Sequence, residues 1–498
     1  MKMRILISLG LVLSLCLLAW QKPVEQPSFH IKKKGPFKIA KDQIHTFGYL
    51  RVPENRQQAD TRMIELPVYI FKSRNENPQK DPIIWLTGGP GTSLMNSARY
   101  SRYFSYLEDR DLILIEQRGT QYAKPHLDCP EWAEAAYKAS LINLQQLDPN
   151  EKAEQQENLY AEATRKCKQR LENKGIDLNG YHTREIAADV NDLSKVVGLE
   201  QYNILSLSYG TKIAQVLMRY YPENIRSVVM DSPLPLQVDY DTQSLTNLRG
   251  VYEGIFADCA SDPDCNKAYP DLKKRFYAFT REKNTNPLQL RVYHQQEKKE
   301  INCVVKGRDI YRLLGGTKTA NMASVPQMIE EVLSGNYERI ESYLSGISSR
   351  SGAGQGMRLS VWCAEENPFV TAEAIEKESN RYPESKGAYP AVFSPEVCEI
   401  WGVKAMDERA NQGIQSPIPT LIVSGEFDAD TPVGWGKLMS ESLPNSHHVI
   451  FRAYGHVPTS YWDNPCGMET ARAFFNDPSS RPELPCQAEL EAFQFDTK

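Results

Sequence analysis

Tyr202-Asn-Ile-Leu205 is an apolar run of strand length, and Thr211–Tyr221 sets its apolar residues at helical spacing until Pro222 stops it. Between them stands Ser206-Leu-Ser208-Tyr-Gly210. A buried strand that becomes a helix within so few residues must turn sharply. Such a turn holds its central residue in a strained conformation and lifts that side chain clear of the sheet. The residues two positions either side have to be small. Gly210 satisfies this, whereas Ser206 stands where glycine is usual and adds a Cβ and a hydroxyl. Ser208 is thereby a candidate nucleophile. A Ser-rich turn without chemistry looks the same locally, so the partners elsewhere in the chain decide.

Those partners occur in an informative order. Pro419-Thr-Leu-Ile-Val-Ser424 reads as a second buried strand, and Gly425-Glu-Phe-Asp428 turns off its carboxyl end. Asp428 there would hold an imidazole in one tautomer and stabilise it once protonated. An Asx turn is the plain alternative, and Asp430 is a nearby rival. Ser446–Phe451 reads as a third strand, followed by the loop carrying Tyr454-Gly455-His456. A histidine after a glycine, in a loop beyond a strand, suits a general base. His447 and His448 fall in or beside the strand and read as structural. The chain order Ser208, Asp428, His456 is that of an α/β-hydrolase triad. Acyl transfer also needs donors aimed at the developing oxyanion. The amide of Tyr209 follows the nucleophile, and the amide of Gly89 lies in Gly88-Gly89-Pro90-Gly91, just after the apolar strand Ile83–Leu86. The glycine-rich loop matches neither a P-loop nor a dinucleotide fingerprint. No helix carries paired histidines at metal-ligand spacing, so no metal or cofactor is expected.

The Gly-Gly-Pro-Gly loop, the turn Glu116-Gln117-Arg118-Gly119-Thr120, the Ser-Tyr-Gly turn and the Gly-His loop together resemble the proline iminopeptidase and tripeptidyl aminopeptidase group of α/β-hydrolases. The resemblance spans Phe47–Pro53 and Leu359–Glu366 as well. It departs at Glu116, where aspartate is usual, and at Phe47, where a cysteine often stands. It implies an α/β fold with a mostly parallel central sheet and an inserted, mainly helical cap. It also implies a cofactor-free exopeptidase acting on free amino termini. A cationic amino terminus calls for a carboxylate, and the resemblance points to Glu365 on the cap, with the adjacent Glu366 as substitute. A solvated acidic pair is the alternative reading.

Composition bounds the rest. A chain of 498 residues, 41% hydrophobic and 24% charged, can bury a large core and carry a substantial insertion. Its net charge of −5 and the lack of a basic stripe argue against nucleic acid as partner. The short Lys32–Lys34 run reads as solvated. Met1-Lys-Met-Arg4 followed by the apolar Ile5–Trp20 reads as a cleaved export signal over 1–20, or else an uncleaved anchor. Cys16 raises lipidation, although Leu15 is bulky for that motif. Sequence neighbours among the remaining cysteines would pair as Cys129–Cys167, Cys259–Cys265, Cys363–Cys398 and Cys466–Cys486, leaving Cys303 alone. A zinc site lacks matching histidines.

The pattern divides the chain into a first core part over 29–235, a helical cap over 236–412 and a second core part over 413–498. Within the cap, Ser348–Gly356 reads as a flexible interruption near the cleft. The stretch 134–174 reads as helical. The expected function is an exported serine exopeptidase acting on peptides, with activity falling as His456 protonates below neutral pH. An esterase, or a hydrolase of a small acyl compound, would use the same triad. An inactive hydrolase-like binding module would have lost a triad residue, and none is lost. Oligomeric state is not legible.

Overall fold

The computed structural model describes residues 25–315, 319–386, 393–461, 464–486, 488, 490 and 493–497. The export segment read at 1–20 lies outside the described residues. A nine-stranded sheet organises the molecule. Its strands are β1 (Ser28–Lys32), β2 (His45–Pro53), β3 (Met63–Phe71), β4 (Ile83–Leu86), β5 (Leu112–Ile115), β6 (Tyr202–Leu207) and β7 (Ile225–Asp231). A separate antiparallel hairpin of β8 (Leu288–His294) and β9 (Lys299–Val305) follows, and β10 (Thr420–Gly425) and β11 (Ser446–Phe451) complete the large sheet.

The order is β1-β2-β3-β5-β4-β6-β7-β10-β11. The edge β1-β2-β3-β5 pairs antiparallel, and the run β5-β4-β6-β7-β10-β11 is parallel. The expected mostly parallel sheet is therefore observed. Strands buried on both faces read as continuous apolar runs, and β4, β5, β6 and β10 are buried along their whole length. Successive side chains still part to opposite faces. Ile84 and Leu86 join one core cluster while Ile83 and Trp85 join the other.

Helices cover both faces. The first five are α1 (Pro130–Asn143), α2 (Pro149–Glu172), α3 (Thr183–Val196), α4 (Gly210–Tyr220) and α5 (Tyr240–Ser261). The stretch read as one helical region over 134–174 is two helices, broken between Asn143 and Pro149 and bridged by Cys129–Cys167. Between β7 and β10 the chain is mostly helical, with its own apolar cluster around Leu248, Tyr252, Phe276 and Tyr311. The hairpin β8–β9 in this stretch is a departure from the sequence reading. It shows strict alternation, Leu288, Leu290, Val292 and His294 buried and the residues between them exposed.

All four expected disulfides form, and Cys303 is free and buried. Alkylation of the unfolded, unreduced protein, read by peptide mass spectrometry, is expected to modify Cys303 and none of the bridged cysteines. Labelling of any of the bridged positions would contradict these pairings.

Arg118, in the turn after β5, is fully buried. It bonds Asp189 of α3 through Nε at 2.7 Å and through Nη2 at 2.5 Å. Its guanidinium also donates to the carbonyls of Pro53, Glu54 and Gly180. One side chain thus ties β2, the β5 turn and α3 together beneath the sheet's carboxyl edge.

Candidate active site

Ser208 sits between the end of β6 and the start of α4 with φ of 54°, in the left-handed region. A non-glycine residue there costs about 1–3 kcal/mol and persists only when its surroundings enforce it. Here its N–H donates to the Asp231 carbonyl at 2.9 Å, and Thr211 closes the turn onto its own carbonyl. Ser206, the unusual residue of the motif, is fully buried, and its hydroxyl donates to the Val229 carbonyl at 2.7 Å. The departure from glycine is accommodated by one hydrogen bond to the neighbouring strand. Gly88 is a close approach: a Cβ there would lie 2.9 Å from Ser208 Cβ and 3.2 Å from its Oγ. The glycine loop therefore lies directly against the serine. Among the turn and loop hydrogen bonds of the described residues, none uses the N–H of Gly89 or of Tyr209.

Asp428 is buried off the end of β10. Its Oδ2 accepts from His456 Nδ1 at 2.8 Å and from the Thr431 hydroxyl at 2.6 Å. Its Oδ1 accepts from the backbone N–H of Asp430 and Thr431 at 2.9 and 3.0 Å. The Asx turn and the imidazole contact are thus made by the same side chain, one with each oxygen. Asp430 is exposed and takes the Tyr240 hydroxyl instead, at 3.1 Å. His448 bonds Ser424 at 3.0 Å within the sheet, and burial pushes it down to about 4.

Thr431 is a member of the site that sequence reading missed. Its hydroxyl lies 2.6 Å from Asp428 Oδ2 and 3.2 Å from His456 Nδ1. A threonine three residues after an acid off a strand end was the available signal.

The serine and the imidazole loop are joined through one turn. Asp231, at the end of β7, gives its carbonyl to Ser208 N–H, while its Oδ2 accepts Thr459 N–H and hydroxyl at 2.7 and 2.6 Å. Ser232 Oγ accepts Val457 N–H at 2.8 Å. Ser208, Ser232 and Val457 all hold left-handed φ, at 54°, 55° and 60°. Strained residues gather where a framework over-determines them, and here they gather around one point. Among the described residues no hydrogen bond joins Ser208 to His456. That is common before substrate binds, when such contacts are long.

Burial would lower the His456 pKa, but the Asp428 charge, the hydrogen bond to it, and Asp430 and Asp231 outweigh that and raise it to about 9. Asp428 is held low: burial pushes up, and the His456 charge and hydrogen bonds prevail. Asp231 is pushed up to about 7, chiefly by burial, against its Thr459 hydrogen bonds.

Glu365 and Glu366 both have partners within the chain. The reading offered their carboxylates to a substrate ammonium. Both are buried and already partnered. Glu365 accepts the N–H and hydroxyl of Thr183, whose hydroxyl also meets Tyr209 OH at 2.7 Å. Glu366 pairs with the buried Lys212 of α4. A carboxylate withdrawn from water needs such donors.

The segment Ser348–Gly356 also differs from its flexible reading. Cys129 N–H donates to Gly352 O at 2.9 Å, Gly354 N–H to Asp128 Oδ1 at 2.8 Å, and Gly356 N–H to Leu127 O at 2.7 Å. With the glycine loop, α1 and Arg358, this segment walls a cleft of about 760 Å³. As for metals, ligand atoms of Asp428, Asp430 and His456 lie within 4.8 Å of one another, but both Asp428 oxygens are already hydrogen-bonded. Cys129, Glu131 and Cys167 also cluster, with both sulfurs in a disulfide.

Two family models match the chain: alpha/beta hydrolase fold over residues 81–300, and TAP-like protein over residues 388–486. Serine protease Hip1 of Mycobacterium tuberculosis is 21% identical over 439 residues, 81% of this chain and 82% of that protein. Tripeptidyl aminopeptidase of Streptomyces coelicolor is 21% identical over 443 residues, 84% of this chain and 78% of that protein. Among solved structures, proline iminopeptidase of Mycobacterium smegmatis aligns over 86% of this chain and 98% of its own, with 12% identity and a TM-score of 0.38.

Proposed function

The chain is a serine hydrolase of the α/β-hydrolase fold with a TAP-like carboxyl-terminal region, and on that premise we propose an exported exopeptidase that releases amino acids or short peptides from free amino termini. Ser208 is the nucleophile, His456 the base, and Asp428 the group that orients and stabilises the imidazolium. The amides of Gly89 and Tyr209 hold the oxyanion. Attack of Ser208 on the carbonyl gives an acyl-enzyme, His456 passes the proton to the leaving amine, and water then releases the acyl group.

The observation that carries this reading is the Asp231–Ser232 turn, which binds the serine's backbone with one residue and the imidazole loop with both. We place the core in 29–235 and 413–498 and the cap in 236–412. Four disulfides fit an oxidising destination, which supports export. Among the described residues no helix is long and apolar enough to cross a membrane.

Aminoacyl and tripeptidyl anilides with free and with blocked amino groups, set beside simple acyl esters, test the reading. Preference for free amines supports it; equal turnover of blocked substrates would favour the esterase alternative. That alternative gains weight from one observation, the engaged state of Glu365 and Glu366.

The pH profile follows from His456. A general base works only when neutral, so a pKa raised to about 9 moves the acid limb of kcat/KM above its ordinary place near 6.5. Measured with a neutral ester, so that no substrate group titrates, kcat/KM is expected to rise tenfold per pH unit toward pH 9. A limb at or below 6.5 would count against the Asp428–His456 pair as described. The same shift has a stability sign. The folded pKa exceeds the unfolded one, so the stability that His456 contributes is complete below 6.5 and lost as pH rises through about 9.

A further inference from the structure

The cleft beside the glycine loop carries charge of one sign. Of the residues that wall it, Arg350 and Arg358 are the charged ones, and no carboxylate is among them. Arg350 is exposed. Arg358, on the helix Gln355–Glu365, is half-buried, with its guanidinium 5.3 Å from the centre of the Trp362 ring. Its Nε is buried and has no hydrogen-bond partner, and the acids that act on it, Asp241 and Asp430, do so through charge without a hydrogen bond. Both acids also hold other donors: Asp241 accepts Trp362 Nε1 at 3.0 Å, and Asp430 accepts Tyr240 OH at 3.1 Å. Burial drags the Arg358 pKa below its ordinary value, with Tyr240, Asp241 and Asp430 acting against that. Arg118, which is fully buried, is by contrast bonded through its whole guanidinium. With its Nε buried without a partner and the side chain half-buried in the cleft wall, the Arg358 guanidinium is placed to meet an anion there.

Its position relative to the chemistry is fixed by the backbone. Arg358 N–H donates to Gly354 O at 3.0 Å, one helical turn away. Gly354 in turn packs so tightly on the glycine loop that a Cβ on it would lie 2.1 Å from Gly91 O. One turn of helix therefore separates the unpaired cation from the loop that carries Gly89. We propose that Arg358 binds a carboxylate of the substrate, and that substrates carrying one on the portion lying along the Gly89–Thr92 loop are preferred. A planar fork of donors matches a carboxylate with two parallel hydrogen bonds. The carboxylate is either the carboxyl terminus of a short peptide or an acidic side chain. This deepens the acyl-transfer reading and rests on it.

The test compares wild type, Arg358→Met and Arg358→Lys. Each is given free-amino peptides ending in carboxylate or amide, and amidated peptides with Glu or Gln at successive positions. Wild type is expected to favour one acidic member over its neutral partner by about 10-fold or more in kcat/KM, carried by KM. The pair that responds identifies the source of the carboxylate. Arg358→Met brings that ratio close to one, and Arg358→Lys recovers part of it. Because no carboxylate is stranded by the substitution, Arg358→Met is also expected to melt close to wild type. Calorimetric binding of the same acids and amides to Ser208→Ala reads Arg358 without turnover, so loss of the Ser208 reading leaves this test standing. A ratio near one in wild type, or one unchanged in Arg358→Met, overturns the proposal.

Discussion

Ser208→Ala is expected to lower turnover of every substrate by about 10⁴-fold or more while leaving the fold intact. The size follows from the role: without the hydroxyl there is no acyl-enzyme, and the oxyanion donors alone supply only the residual rate. The intact fold follows from the contacts. Among the described residues Ser208 Oγ makes no hydrogen bond, so its deletion strands no partner, and the backbone bonds that hold φ at 54° are untouched. A serine-directed fluorophosphonate should label wild type at Ser208 and fail to label the variant. The two proteins should share a far-ultraviolet dichroism spectrum and melt within about 2 °C of each other. Retention of more than a hundredth of the wild-type rate would remove Ser208 from the mechanism.

Arg118→Met should produce the largest loss of stability, about 3–5 kcal/mol. The substitution keeps most of the volume and removes the donors. It strands the carbonyls of Pro53, Glu54 and Gly180 and leaves the Asp189 carboxylate, itself buried, to Arg56 alone. Breaking one side of a buried pair costs more than the pair is worth, because the surviving charge has lost its solvation. Adding Asp189→Asn should therefore return part of the loss, since the stranded charge disappears with it. Thermal and urea unfolding of the single and double variants measure both effects. A single variant within 1 kcal/mol of wild type would show that water reaches this site.

The sequence reading and the structure agree where a function depends on short-range pattern. The handover from strand to helix around Ser208 is legible because apolar runs and helical spacing are local properties of the chain. Asp428 and His456 are legible for the same reason, each lying just beyond a strand of recognisable composition. The neighbouring cysteines pair as their order suggests. The hairpin β8–β9 was also legible: Leu288, Leu290 and Val292 alternate with polar partners, a period-two signal that a helical expectation obscured.

Other features depend on what folding brings alongside. Glu365 reads as a free acid until Thr183, 182 positions earlier, supplies two donors. Ser348–Gly356 reads as slack until Leu127, Asp128 and Cys129 take up its backbone groups. Arg358 is one more arginine on a helix until folding sets it in the cleft wall with its Nε buried and without a partner.

By itself the sequence determined which side chains can do chemistry and the order in which strands and turns present them, since backbone preference and hydrophobic period act over a few residues. Only the tertiary structure decided which charges are already spent and which remain to be met. A group's ionisation and availability are set by solvent exclusion and by partners within a few ångströms, and those partners come from distant parts of the chain.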